Sequence, residues 1–181
     1  MKKWTTLKSS YIFKTPFGNL REDTCKLPNG LVIEGYHVSE FKDWVNAVVL
    51  TRNQEVLLIK QYRYGADDFF LEIPAGSPEE GEQLEDAIIR EVKEETGYIS
   101  NKKPVLLGSF YVNPATQNNK VTTYLIEDAY QAYEQELDSS EEIEILRMPF
   151  QEMESLIDNG GIHQLFSVHA YLLAKSWIGK S

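Results

Sequence analysis

The sequence predicts an α/β protein: a mixed sheet covered by helices and preceded by a β-rich N-terminal segment. Three observations carry this. Residues 44–51 and 55–62 are β-branched and apolar runs; residues 82–95 lack Gly and Pro and are rich in Glu, Ala, Leu and Ile; and strands and helices alternate rather than segregate. With 181 residues and no internal repeat, low-complexity tract or Gly/Ser linker, the chain fits one globular domain better than two.

Taken in order, residues 1–40 read as short strands. In Leu27-Pro28-Asn29-Gly30-Leu31 the Asn-Gly pair favours a tight hairpin, and Leu31, Ile33, Gly35 and Tyr36 follow it. The runs Trp44-Val45-Asn46-Ala47-Val48-Val49-Leu50-Thr51 and Glu55 to Tyr62 flank Arg52-Asn53-Gln54, a second hairpin at the centre of the sheet. Phe69 to Ile73 is a strand stopped by Pro74, and the helix over 82–95 ends at Gly97. Strands are expected near 105–112, 121–126 and 143–148, and helices near 150–158 and 163–178. The last of these offers Leu165, Val168, Ala170, Leu172 and Leu173 to the core.

Charge excludes several functions. Eighteen basic against 28 acidic residues leave −10 with His neutral. That field repels nucleic acid and anionic membrane surfaces, and admits a small anionic substrate only where cations offset it locally. The single Cys25 excludes an internal disulfide framework and lacks an activating neighbour, so it reads as an inert thiol. His163 and His169 share no face and read as structural. The start Met1-Lys2-Lys3-Trp4 is too polar for a signal peptide, and no run is apolar enough to span a bilayer, so a cytoplasmic location is expected.

Helix 82–95 concentrates the chemistry. At 100° per residue, Leu84, Ala87 and Ile88 lie within about 60° of Glu91, and Glu94 and Glu95 follow on the same stripe. The outer face is Glu85, Asp86 and Lys93. Three carboxylates on an inward face repel one another unless a cation sits between them, and oxygen-only ligands suit Mg²⁺ or Mn²⁺.

The spacing is more specific still. Gly76, five residues, Glu82, seven residues and Arg90-Glu91-Val92-Lys93-Glu94-Glu95-Thr96-Gly97-Tyr98 resemble the Nudix box at every fixed position, with Tyr98 where an aliphatic residue is usual. The resemblance implies the Nudix α/β/α sandwich and hydrolysis of a nucleoside diphosphate linked to another group. It further implies metal ligation by Glu91, Glu94, Glu95 and the backbone carbonyl of Ala75, and a supporting ion pair between Arg90 and Glu82. Trp44-Val45-Asn46-Ala47-Val48, Lys60-Gln61-Tyr62-Arg63, Leu71-Glu72-Ile73-Pro74-Ala75-Gly76 and Pro114, sixteen residues beyond Tyr98, are similar to the ADP-ribose and nucleoside-diphosphate-sugar pyrophosphatases.

Within that resemblance Arg63 is a candidate for substrate phosphate or for an ion pair. Trp44 is a candidate to stack on a base or to fill part of the core. The amides of Asn113-Pro114-Ala115-Thr116-Gln117-Asn118-Asn119, Asn119 among them, suit either sugar hydroxyls or the turn. A family acidic loop maps to Leu137-Asp138-Ser139-Ser140-Glu141-Glu142-Ile143-Glu144, where one frequent acidic position falls on Ser139. That leaves Glu141, then Glu142, as the base or auxiliary ligand, beside Glu94 in the box.

The expected function is metal-dependent hydrolysis of a nucleoside diphosphate sugar, of the ADP-ribose, ADP-sugar or GDP-sugar type, to a nucleoside monophosphate and a sugar 1-phosphate. The alternatives are a nucleoside-triphosphate or dinucleoside-polyphosphate hydrolase and a silent nucleotide-sugar sensor. Residues 1–40 are expected to be a β extension and residues 41–181 the catalytic domain. The extension is longer than one small sheet needs; in the family such segments cross to a partner chain, which implies a homodimer.

Overall fold

The structure, a computed structural model, describes residues 1–180 and divides into two compact units. The smaller comprises Met1–Asp43 and Phe110–Lys120, the larger Trp44–Ser109 and the chain from Val121 onward.

In the smaller unit, β1 (Thr5–Thr15), β2 (Gly18–Lys26) and β3 (Val32–Glu40) form an antiparallel sheet in that order. The expected Asn-Gly hairpin joins β2 to β3, with the Leu27 N–H on the Leu31 carbonyl at 2.8 Å. Buried Asp23 accepts from Ser9 at 2.6 Å and is gripped by Arg21. The segment 113–119 lies along β3: the Ser39 N–H donates to the Thr116 carbonyl, and the Phe41 N–H to Asn118 Oδ1. No residue of β1 is buried within the chain.

The remaining elements are β4 (Trp44–Thr51), β5 (Glu55–Arg63), β6 (Asp68–Glu72), β7 (Ala75–Gly76), α1 (Leu84–Thr96), β8 (Tyr98–Ile99), β9 (Val105–Tyr111), β10 (Lys120–Gln131), β11 (Glu144–Pro149), α2 (Glu152–Asp158) and α3 (Leu165–Ile178), all in the larger unit except Phe110, Tyr111 and Lys120. The sheet runs β11-β5-β4-β10-β8, with β6 on β5, β7 on β4 and β9 on β10. It is mixed, because β4 pairs parallel with β10 and antiparallel with β5. β4 explains the architecture. Val45, Ala47 and Val49 pack with Ala87, Ile88 and Val92 of α1, while Val48 and Leu50 pack with Ala170, Tyr171 and Ala174 of α3. A strand covered on both faces reads as a continuous apolar run, and this one does.

Three expectations are corrected. α1 begins at Leu84 rather than residue 82, because the Glu82 carboxylate is occupied outside the helix, accepting from the Glu79 N–H at 2.8 Å and from Arg90. β10 runs to Gln131, past residue 126, through a register shift between Ile126 and Ala129 in which Asp128 takes φ 57°. In α3, Leu165 and Leu172 face outward at 69% and 56% exposure. The buried positions are Ser167, Ala170, Tyr171 and Ala174; the three small ones let the helix sit close to the sheet, where Ser167 Oγ accepts from the Ile73 N–H at 3.1 Å. Among the described residues no helix is long and apolar enough to cross a membrane.

Candidate active site

The C-terminal half of α1 and the loop from β7 border a cavity of about 1120 Å³ in the larger unit. Gly76 sets how closely they approach. A Cβ there would stand 2.0 Å from Glu91 Cδ, so a side chain at this position would displace that carboxylate. The neighbouring Ala75 N–H donates to Glu95 Oε2 at 3.0 Å and anchors that buried carboxylate. At the far end Gly97 closes the helix in the left-handed conformation, φ 71°, its N–H on the Lys93 carbonyl.

Arg90 organises the rest. Its guanidinium takes Glu82 in a two-point grip at 3.0 Å each, Glu94 at 2.9 Å, Glu91 at 3.0 Å and the Ser77 carbonyl at 3.2 Å. The ion pair with Glu82 is as expected, and the same side chain also holds two of the proposed metal ligands. The Glu82 bond leads the causes that raise the Arg90 pKa, and the same bond lowers that of Glu82. Burial pushes Glu91 above the ordinary carboxylate range against the pull of Arg90. Glu95 is pushed well above it, by burial first, opposed by the Ala75 N–H and reinforced by the charges of Glu91 and Glu141. A carboxylate placed where its charge is disfavoured draws in either a proton or a cation.

The donor set is carboxylate oxygen plus the Ala75 carbonyl, which fits a hard divalent cation. With Arg90 holding Glu91 and Glu94, and Ala75 holding Glu95, no three acidic, His or Cys side chains converge on one point among the described residues. The match to a cation therefore lies in donor chemistry and in the buried charge of Glu95.

Of the residues singled out from sequence, Trp44, Arg63, Ala75, Glu91, Glu94, Glu95 and Glu141 line the cavity. Glu142 is exposed and does not, and Asn119 belongs to the smaller unit, where its side-chain amide is buried without a partner. Trp44 meets Phe166 edge to face at 5.4 Å. Arg63 forms a forked pair with Glu72, Nε to Oε1 at 3.0 Å and Nη2 to Oε2 at 2.6 Å, and Glu72 is 2% exposed. Its carboxylate partner is thus interior rather than at the surface, and leads the causes that raise the Arg63 pKa. Glu141 accepts from the Asp138 N–H at 3.1 Å.

Sequence reasoning passed over Asn46, Glu72, Glu136 and Asp138, all lining the same cavity. Asn46 carried a signal, as a lone amide inside an apolar run. Glu72 carried none, because Arg63 reaches it across two strands without being its register partner.

Residues 41–167 match the model of the NUDIX domain, and residues 4–39 that of the nucleoside diphosphate sugar hydrolase N-terminal domain. The chain is 27% identical to the ADP-ribose pyrophosphatase of Bacillus subtilis (strain 168) over 166 residues, 91% of this chain and 89% of that one. It is 25% identical to the ADP compounds hydrolase NudE of Escherichia coli (strain K12) over 126 residues, 70% and 67% of the two chains. A crystal structure of an ADP compounds hydrolase shares the fold, with a TM-score of 0.87 at 21% identity over 99% of this chain and 96% of that one. With the domain model matched over residues 41–167 and the box residues assembled around Arg90 at one cavity, the chain belongs to the Nudix hydrolase family.

Proposed function

We propose that the protein is a divalent-cation-dependent pyrophosphatase that cleaves nucleoside diphosphate sugars, of the ADP-ribose, ADP-sugar or GDP-sugar type, into a nucleoside monophosphate and a sugar phosphate. The observation that carries the reading is the cavity wall itself. Glu91, Glu94, Glu95 and Glu141 face it together with Arg63, and the most buried of these four carboxylates, Glu95, sits where burial disfavours its charge. An anionic diphosphate is repelled by such a wall unless cations offset it. The named activities of the Bacillus subtilis and Escherichia coli relatives support the substrate class.

Glu91, Glu94, Glu95 and the Ala75 carbonyl would hold Mg²⁺ or Mn²⁺, which when bound supplies neutralisation of phosphate oxygens and a lowered pKa for water. Arg90 keeps Glu91 and Glu94 facing the cavity until they are needed. Arg63, fixed by Glu72, presents its remaining N–H groups to a substrate phosphate. Glu141, on an exposed loop at the cavity edge, takes the proton of the attacking water, with Glu142 beside it and Glu94 on the helix as the other candidate carboxylates. Trp44 provides a face for the base.

Residues 1–40 serve as a dimerisation and substrate arm, and residues 41–181 as the catalytic domain. Leu7, Ile12 and Phe13 of the fully exposed β1, with Phe17 at 92% exposure, support a homodimer through the arm. The test is a panel of ADP-ribose and ADP-, GDP- and UDP-sugars against nucleoside triphosphates and dinucleoside polyphosphates, each with Mg²⁺ and phosphate detection. Cleavage of at least one diphosphate sugar in preference to every polyphosphate is the expected result; the reverse preference contradicts the reading.

A further inference from the structure

Asn46 is out of place in its strand. From Val45 to Leu50, β4 is otherwise Val, Ala and Leu, all buried on both faces. Asn46 is 1% exposed, its Oδ1 has no hydrogen-bond partner, and the residue lines the cavity. A buried amide oxygen without a donor destabilises the fold, so its retention calls for a donor supplied from elsewhere.

Two donors that line the cavity with Asn46 are committed elsewhere. Ser167 Oγ donates to Gln164 Oε1 at 2.9 Å while accepting from the Ile73 N–H. Ala75, paired with Asn46 across β4 and β7, gives its N–H to Glu95. On the other side the register partner of Asn46 in β10 is Thr123, fully buried, and its Oγ1 is also without a partner.

The Thr123 hydroxyl lies outside the cavity lining, whereas Asn46 lies in it, and position favours a donor from the cavity. By the two-residue period of a strand, Asn46 shares its face with Trp44 and lies beside Ala75 in the neighbouring strand. A nucleotide with its base against Trp44 and its diphosphate at the Ala75 end lays its ribose over Asn46. We propose that Asn46 is a substrate-binding residue whose Oδ1 accepts a hydrogen bond from a hydroxyl of the nucleoside ribose. This rests on the pyrophosphatase reading and adds to it a preference for ribonucleotides over their deoxy counterparts.

The experiment compares kcat/KM for the best-cleaved nucleoside diphosphate sugar with its 2′-deoxy and 3′-deoxy nucleoside analogues and with an analogue deoxygenated in the terminal sugar. The enzymes are wild type, Asn46→Ala, Asn46→Leu and Thr123→Val. Wild type is expected to discriminate against one nucleoside-deoxy analogue by about tenfold, the scale of one lost hydrogen bond. Both Asn46 variants lose about tenfold on the parent, chiefly in KM, and nothing on that analogue, so the discrimination disappears. Thr123→Val, a buried change that does not reach the cavity, keeps the discrimination. Asn46→Leu, near in volume and free of the orphan acceptor, unfolds thermally at or above the wild-type temperature and so serves if Asn46→Ala folds poorly.

Equal losses on parent and deoxy substrates, or no loss, overturn the proposal and assign Oδ1 to an ordered water. Discrimination that vanishes only for the terminal-sugar analogue overturns the assignment to the nucleoside ribose. If wild type cleaves no member of the panel, the pyrophosphatase reading has failed first and this inference falls with it.

Discussion

At the scale of single residues, the site is a set of carboxylates kept apart by one guanidinium. Arg90 touches Glu82, Glu91 and Glu94 at once, which removes much of the repulsion between them. Glu141 differs, as an exposed side chain bonded only to the turn that carries it among the described residues. A base on such a loop acts in the chemical step rather than in binding. Glu141→Gln is therefore expected to lower kcat while leaving KM for the nucleotide sugar nearly unchanged, and Glu142→Gln to do less. Steady-state kinetics of the two variants decide it; a larger loss in Glu142→Gln moves the base by one residue. The box residues were legible because their spacing is covalent and fixed. Asn46 showed only as a lone amide in an apolar run and Glu72 not at all, because their roles depend on which strands lie beside β4 and β5, and hydropathy does not encode that.

At the scale of elements, the strongest constraint is the end of α1. Gly97 holds φ 71°, and a Cβ there would stand 2.1 Å from the Tyr133 carbonyl oxygen. Gly97→Ala meets both the left-handed conformation and a backbone clash, so a loss of roughly 2–4 kcal/mol in chemical denaturation is expected. A loss under about 0.5 kcal/mol would show that the 133–134 backbone yields freely. α3 teaches the complementary point. Its leucines suggest one buried face, yet Leu172 is exposed and Ala174 is buried, since close packing onto the sheet favours small side chains over large ones. Leu172→Ala is expected to change stability by under about 0.5 kcal/mol, while Ala174→Leu costs about 1–3 kcal/mol by overpacking. β4 was readable to the residue because polar Asp43 and Arg52 bound an apolar run, whereas the extension of β10 depends on a bulge that periodicity does not reveal.

At the scale of the whole molecule, the chain carries a net charge of −10, so the proposed function on an anionic substrate calls for cations that the chain itself does not supply. The strand-rich arm leaves every residue of β1 exposed, and light scattering at assay concentration is expected to give twice the chain mass. A fully active monomer contradicts the dimer. The central claim, that carboxylates on α1 work through a divalent cation, is tested most directly by turnover of one cleaved nucleotide sugar in Mg²⁺ and in excess chelator, for wild type and Glu95→Gln side by side. Glu95 is the most buried of the set and its amide replacement keeps the shape while removing the charge. Wild-type turnover should collapse in chelator, and Glu95→Gln should lose at least about a hundredfold in Mg²⁺ while remaining folded. Undiminished turnover in chelator, or in the variant, would contradict the account.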